Sequence, residues 1–461
     1  MDLASNEPPP SLGAEARALG KLALPLMVAQ GGQMLMGVVD TIVVGRTTPV
    51  DMAAVTLANG VIGTIGVFVI AAGTGIEPYV GQAFGAGEHL RARSWLWQGA
   101  HLGWVLSLPL ALLTVLATFL FVPSGLSPEL SKTASLYVLG RLPSFASFGL
   151  MIALKSYLAC TNRSFPILLS VGVANVVNLV LDLALVLGWF GLPRLGALGA
   201  AIATSISSWL IVLILGLAIA QRPLAPADSA QLGRAPDRMM MARIFRLGWP
   251  IGSQASVEVG IFMLVAWLIG RMGEVELSGH SIALNLASLT FMTALGISNA
   301  ATARVAYHIG AERPGEARRA GLLAIAAGAG FMSLTGALFL LAPGPLAALF
   351  TPDPAVRALG RPLVMIAGAF ALWDGVQAVS NGALRGAGDT AWAFYANVAA
   401  HWVIGLPVGL VLAHHFELGA RGYWWGLTAG LAGVAITLFF RFLSLSKGPL
   451  RRLEGPAPGP T

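Results

Sequence analysis

The chain is short of charge. Of its 461 residues only 11% are Asp, Glu, Lys or Arg, against 56% hydrophobic, and the mean hydropathy is +0.76. Soluble domains carry about 25% charged residues, so this chain could not cover a water-facing surface with polar groups. In lipid it has no need to. Cysteine is nearly absent as well. Cys160 stands alone, which excludes an intrachain disulfide and a thiolate metal cluster. There is no G-x-x-x-x-G-K-[ST] run, because the one Gly-Lys pair, Gly20-Lys21, lacks the upstream glycine. That excludes an ATP-driven motor of the P-loop kind. The first residues, MDLASNEPPPSLGAEARALGK, have neither a basic opening nor a short apolar core, so they do not read as a cleaved signal peptide.

The basic balance, a net charge of +7 and a pI near 10.0, would suit nucleic acid if it formed a patch. Instead Lys and Arg are scattered singly between apolar runs, and nucleic acid is not an expected partner. They read as topology signals.

What is abundant is apolar sequence in lengths that cross a bilayer, about 20 residues each. Such stretches fall near 22–44, 53–80, 97–122, 133–158, 165–190 and 196–220, then near 246–270, 278–303, 320–350, 358–383, 390–415 and 422–445. The pattern predicts an all-α integral membrane protein of twelve spanning helices. It divides into a polar N-terminal segment (1–21), a six-helix lobe (22–220), a linker (221–245), a second six-helix lobe (246–445) and a tail (446–461). With both termini cytoplasmic, twenty Lys and Arg lie on the inside against seven in the outer loops, as the positive-inside bias requires. A multi-pass protein of the cell (inner) membrane is expected.

The two lobes also echo each other. Pro25 matches Pro250, Gly45 matches Gly270, Arg46 matches Arg271, Gly85 matches Gly310 and Ala86 matches Ala311, always 225 residues apart (250 − 25). Six spans separate the copies, an even number, so both insert the same way round. This is a parallel repeat, and two facing bundles of this kind are expected to enclose a central substrate cavity.

Carboxylates inside spans are costly and are functional candidates by default. There are five: Asp40, Glu77, Asp182, Glu258 and Asp374. Gln30, Gln33, Gly37 and Asp40 form a polar stripe at helical spacing. Asn175, Asn178 and Asp182 form a second, Gln254 and Glu258 a third, and Asp374, Gln377, Asn381 and Arg385 a fourth. Asparagine or glutamine alone would read as hydrogen-bonding glue between helices. A buried acid on such a stripe needs a proton or a cation. Lys155, Arg141 and Arg385 are the candidate intramembrane bases, none in evident helical pairing with Asp40 or Glu258. Glu77, beside Pro78 near the cytoplasmic end of its span, is a secondary candidate able to reach interfacial water. Histidines show no metal-ligand spacing, and Trp424 and Trp425 read as an interfacial belt. Gly386-Ala387-Gly388-Asp389 superficially resembles the G-x-G-D of intramembrane aspartyl proteases, but the Tyr-Asp partner motif is absent. Asp389 reads instead as a helix cap, and no enzymatic activity is expected.

Five stretches, in their order and spacing, resemble the multidrug and toxic compound extrusion (MATE) family, and specifically its NorM-like branch. They are PLMVAQGGQMLMGVVDTIVVG (Pro25 to Gly45), GQAFGAGEHLRAR (Gly81 to Arg93), NVVNLVLDLALVLG (Asn175 to Gly188), LGWPIGSQASVEVGIF (Leu247 to Phe262) and LWDGVQAVSNGALRGAGDT (Leu372 to Thr390). With the six-plus-six layout they cover nearly the whole chain. The sequence departs at Arg46-Thr47-Thr48, where many members have a glycine-containing turn. The resemblance implies two lobes about a V-shaped cleft and export of organic cations by antiport with Na⁺ or H⁺, with no cofactor. It maps coupling positions onto Asp40, Asn178 and Asp182 in the first lobe and Glu258 and Asp374 in the second. Na⁺ would sit at Glu258 and Asp374, or at Asp40 and Asn178. Gln30, Gln33, Gln254, Phe262, Gln377 and Asn381 are substrate-cleft candidates. Partners are then organic cations, the coupling ion and the lipid bilayer, with a monomer as the expected state. The alternatives are a lipid-linked-precursor flippase of the same wider superfamily and, from another class, the protease.

Overall fold

A computed structural model describes residues 11–222 and 232–455. The expectations for 1–10, 223–231 and 456–461, which belong to the N-terminal segment, the linker and the tail, lie outside the described residues.

Among the described residues twelve helices are long and apolar enough to cross a membrane. They are α1 (Leu12–Val44), α2 (Pro49–Gly85), α3 (His89–Thr118), α4 (Pro128–Cys160), α5 (Phe165–Leu185) and α6 (Ala197–Ala220). The second half holds α7 (Arg238–Gly270), α8 (Glu274–Gly310), α9 (Pro314–Leu341), α10 (Pro354–Gly386), α11 (Ala391–His414) and α12 (Ala420–Leu445). A short helix, Pro343–Ala348, joins α9 to α10. Most helices outrun the apolar stretches that announce them, α1 by ten residues at its start (22 − 12). Backbone hydrogen bonding continues into polar turns that hydropathy does not register. What starts these helices is local chemistry: proline in the first turn, where its missing N–H is no loss, and side-chain caps. Ser127 caps α4, Asp353 caps α10, and Thr48 accepts from the Asp51 N–H at 3.0 Å to open α2. The Arg46-Thr47-Thr48 turn is thus held by hydroxyls, with Thr47 donating to the Val44 carbonyl at 2.6 Å.

The repeat extends to backbone conformation. Gly87 and Glu312, 225 apart (312 − 87), both adopt the left-handed region at φ +77 and +57. Asn162 and Gly388 do so at equivalent turns, as do Gly196 and Gly419 just before α6 and α12. Left-handed geometry is costly for glutamate, so its presence at Glu312 shows the turn itself fixed by the surrounding helices.

Two compact units emerge. One comprises Val28–Val80 and Glu88–Gly252; the other comprises Met1–Met27, Gly81–Gly87 and Ser253–Thr461. The first unit is built on Val55, Leu110, Tyr137 and Phe145, with α3 and α4 in backbone contact: a Cβ on Gly149 would lie 2.2 Å from the Gly103 carbonyl carbon. Small residues at such crossings are what lets membrane helices pack. Also in this unit Cys160 is buried and donates to the Glu77 carbonyl at 3.4 Å. The second unit is built on Ile261, Leu363, Phe370 and Trp424. The outer faces are apolar: Leu108, Leu112 and Leu116, one turn apart on α3, are 71, 60 and 48% exposed, a stripe only lipid would cover.

Several sequence readings need correction. Trp424 is not an interfacial residue but fully buried, its indole donating to His280 Nδ1 at 3.1 Å, while Trp425 is exposed. Asp389 caps no helix; Thr390 holds the position before Ala391, and Asp389 Oδ2 accepts from Arg441 Nε at 2.7 Å. Glu77 is buried rather than interfacial, its Oε1 accepting from Ser156 at 3.2 Å.

Candidate functional site

In the first unit α1, α4, α5 and α6 converge on one acidic group. Asp40 is buried on α1, and Thr204 of α6 donates to its Oδ2 at 2.8 Å. Asp182 and Asn178, one turn apart on α5 and both fully buried, come within hydrogen-bonding reach of Asp40. Their approach is set by Gly32, against which Val171 and Asn175 pack; Asn175 Nδ2 donates to the Gly32 carbonyl at 3.1 Å. Asn175 is therefore helix glue, one turn from residues that are not. Arg141 of α4 lies near enough for its charge to act on Asp40, with its guanidinium 5.8 Å from the Phe148 ring. Oδ1 of Asp40, both oxygens of Asp182 and Oδ1 of Asn178 have no hydrogen-bond donor, so the group holds four buried unsatisfied oxygens, and Asn178 Nδ2 is without an acceptor as well. Burying such atoms costs several kcal/mol unless a proton or cation joins them.

In the second unit the acids are Glu258 on α7 and Asp374 on α10, close enough to act on each other electrostatically. Glu258 Oε2 accepts from Asn397 Nδ2 at 3.3 Å, and Gln377 is within reach of the same carboxyl. One turn away Asn381 Nδ2 donates to Gln254 Oε1 at 3.3 Å. Asn397 comes from α11 just before a π-helical stretch, Ala399–Gly405, that holds the buried His401. Pro407 explains the stretch, since it offers no N–H to the Val403 carbonyl and its ring crowds that carbonyl.

Other candidates sit elsewhere. Arg385, fourth on the Asp374 stripe, donates instead to Thr302 Oγ1 at 3.1 Å and Asn299 Oδ1 at 2.9 Å. Phe262 packs edge-on to Phe370, centroids 6.1 Å apart, against the apolar core. Gln30 is partly buried on α1, and Gln33 accepts from Lys155. Thr204, Asn397 and His401 were not on any sequence stripe. Arg141 reaches its acids across helices, where periodicity within one helix is blind.

Among the described residues no three His, Cys, Asp or Glu side chains converge as metal ligands. A Na⁺ ion takes carboxylate and neutral amide oxygens alike, and both groups offer that mixture.

The family model for MatE matches residues 25–184 and 250–411, two copies whose starts are again 225 apart (250 − 25). The chain is 37% identical to the multidrug resistance protein NorM of Burkholderia vietnamiensis over 444 residues, covering 94% of this chain and 95% of that one. It is 34% identical to the multidrug resistance protein PmpM of Pseudomonas aeruginosa over 463 residues, covering 96% and 94%. Its fold superposes on the crystal structure of the eukaryotic MATE transporter AtDTX14 with a TM-score of 0.83 at 24% identity, covering 94% and 96%.

Proposed function

The chain belongs to the MatE family, and from that premise we propose that it is a secondary active multidrug exporter, moving organic cations outward in exchange for Na⁺ or H⁺. The observation that carries the coupling mechanism is the set of four unsatisfied buried oxygens around Asp40 and Asp182. Two carboxylates and the Arg141 guanidinium sum to one negative charge, which one proton or one monovalent cation cancels. A hydrogen bond between the two carboxyls needs a proton on one of them. A Na⁺ ion would bridge the same oxygens, with Asn178 as neutral ligand. Among the described residues no guanidinium acts on Glu258 or Asp374, so this pair is the more negative of the two groups, suited to a cationic substrate or a second coupling ion. The chain's twenty phenylalanines and fourteen methionines are side chains of the kind that adapts to varied flat cations.

No observation favours the alternatives. A flippase for pyrophosphate-linked lipids needs a cluster of free arginines, whereas Arg304 and Arg385 are engaged by Glu15 and by Thr302 and Asn299. A protease needs Asp389 free, and it is paired with Arg441. We therefore read the chain as a transporter and not an enzyme, sited in the inner membrane with both termini cytoplasmic, and working as a monomer.

Purified protein in liposomes is expected to expel ethidium when an inward Na⁺ or H⁺ gradient is imposed, and to do nothing without one. Ethidium movement indifferent to both gradients would overturn the antiport. Reporter fusions after Gly233 and at the C-terminus should both report cytoplasm; a periplasmic signal from either reverses the orientation.

A further inference from the structure

Among the described residues the intramembrane arginines discussed above each lie beside an acid or beside two neutral oxygens. Arg304 is clasped by Glu15, Arg385 by Thr302 and Asn299, and Arg141 faces Asp40. Lys155 differs. Its Nζ donates to Gln33 Oε1 on α1 at 2.6 Å, and among the described residues no carboxylate pairs with it. An ammonium has three donors, so two are left over. Lys155 and Gln33 are both only partly buried.

A purely structural lysine near a helix end would reach for the interface. Lys155 is five residues from the end of α4, roughly 7.5 Å along its axis, yet its ammonium turns inward to Gln33. Gln33 and Asp40 are seven residues apart on one face of α1, about two turns and roughly 10 Å. Arg141 and Lys155 share a face of α4 in the same way, with Phe148 between them. The first unit thus offers a positive pole at Lys155 and a net negative pole at Asp40 and Asp182. They are separated by about the length of a drug-sized molecule, with an aromatic ring along the way.

Resting on the export reading above, we propose that Lys155 is an anion subsite, and that the unit binds zwitterionic aromatic substrates with their carboxylate on Lys155 and Gln33 and their cationic end toward Asp40 and Asp182. Gln33 orients the ammonium and can turn its amide N–H to a bound carboxylate. A charge-assisted hydrogen bond at this point separates acids from esters while leaving plain cations to the negative pole alone.

The test uses a rhodamine bearing a free benzoate and the methyl ester of the same dye, each followed by gradient-driven efflux from liposomes and by fluorescence anisotropy with the purified protein. For Lys155→Gln the half-saturation concentration and Kd for the free acid are expected to rise about tenfold, corresponding to ~1.4 kcal/mol, with the ester unchanged. Lys155→Arg should restore the acid. In the wild-type protein, benzoate should compete with the acid and not with the ester, a measurement that needs no variant to fold. Equal losses for both dyes, no loss for either, or absence of benzoate competition would overturn the subsite. Wild-type export of the ester alone also overturns it while leaving the export reading intact. Export of neither dye, nor of ethidium, sinks that reading first.

Discussion

Asp40→Asn is expected to abolish gradient-driven efflux while the protein still reaches the membrane at its normal level. Asparagine has the shape of aspartate and keeps an oxygen for the Thr204 hydroxyl, which now lies 2.8 Å from Asp40 Oδ2. What changes is charge. With Asp40 neutral, Asp182 and Arg141 already cancel, and the group no longer draws in a proton or Na⁺. Removing a buried carboxylate is not expected to harm folding, since an intramembrane charge is a cost to the folded protein. The rate should fall about 100-fold or more, the scale of losing an essential proton-transfer group. Glu258→Gln and Asp374→Asn are expected to fail likewise, by lowering the negative charge of the second group. Asp389→Asn is the control. Its partner Arg441 is more than a third exposed, and surface pairs of this kind contribute about 0–1 kcal/mol. Efflux is measured at matched membrane abundance. Wild-type rates from all three variants would remove these acids from the mechanism, and failure of the Asp389 variant alone would move attention to the loop.

The largest effect on stability is expected from Arg304→Met. Glu15, near the start of α1, is 2% exposed, and Arg304 of α8 grips it with two bonds, Nε to Oε1 at 2.8 Å and Nη2 to Oε2 at 2.5 Å. His308, one turn on, lies 3.2 Å from the same Oε2. The variant leaves the buried carboxylate with only the His308 imidazole beside it, and loss of the bidentate partner is expected to cost up to about 3–5 kcal/mol. Taking away both partners is different: Glu15→Leu with Arg304→Met leaves apolar groups of similar size, and such replacements are often neutral. Apparent unfolding temperatures in detergent should therefore drop sharply for the single variant and recover in the double. Equal drops in both would mean that the charges contribute less than the packing of their stems.

Much of the architecture was legible from hydropathy, because a bilayer imposes one length scale on every span. The helix ends were not, since capping hydroxyls and first-turn prolines act below the resolution of an apolar count. Stripes placed Asp40, Asn178 and Asp182 on polar faces of their helices, yet no stripe states which faces meet. Arg141 shows the limit: no spacing on α4 links it to α1, and only the fold brings it to Asp40. Thr204 was hidden among the serines of α6, and Asn397 in an aromatic run. Trp424 was misread because tryptophan near a span end suits an interface equally well, and only the His280 hydrogen bond reveals it as core. The repeat carried furthest. Its offset, read from prolines and glycines, reappears in the left-handed turns at Gly87 and Glu312, where residue identity had already diverged.

The lone thiol has a practical consequence for spectroscopy. Cys160 is 1% exposed and hydrogen-bonded to the Glu77 carbonyl. To a maleimide in solution the natural chain is therefore nearly a blank surface. One cysteine introduced at a helix end can carry a spin label or fluorophore without first stripping the background. Paired labels can then follow the transport cycle in a protein otherwise unchanged.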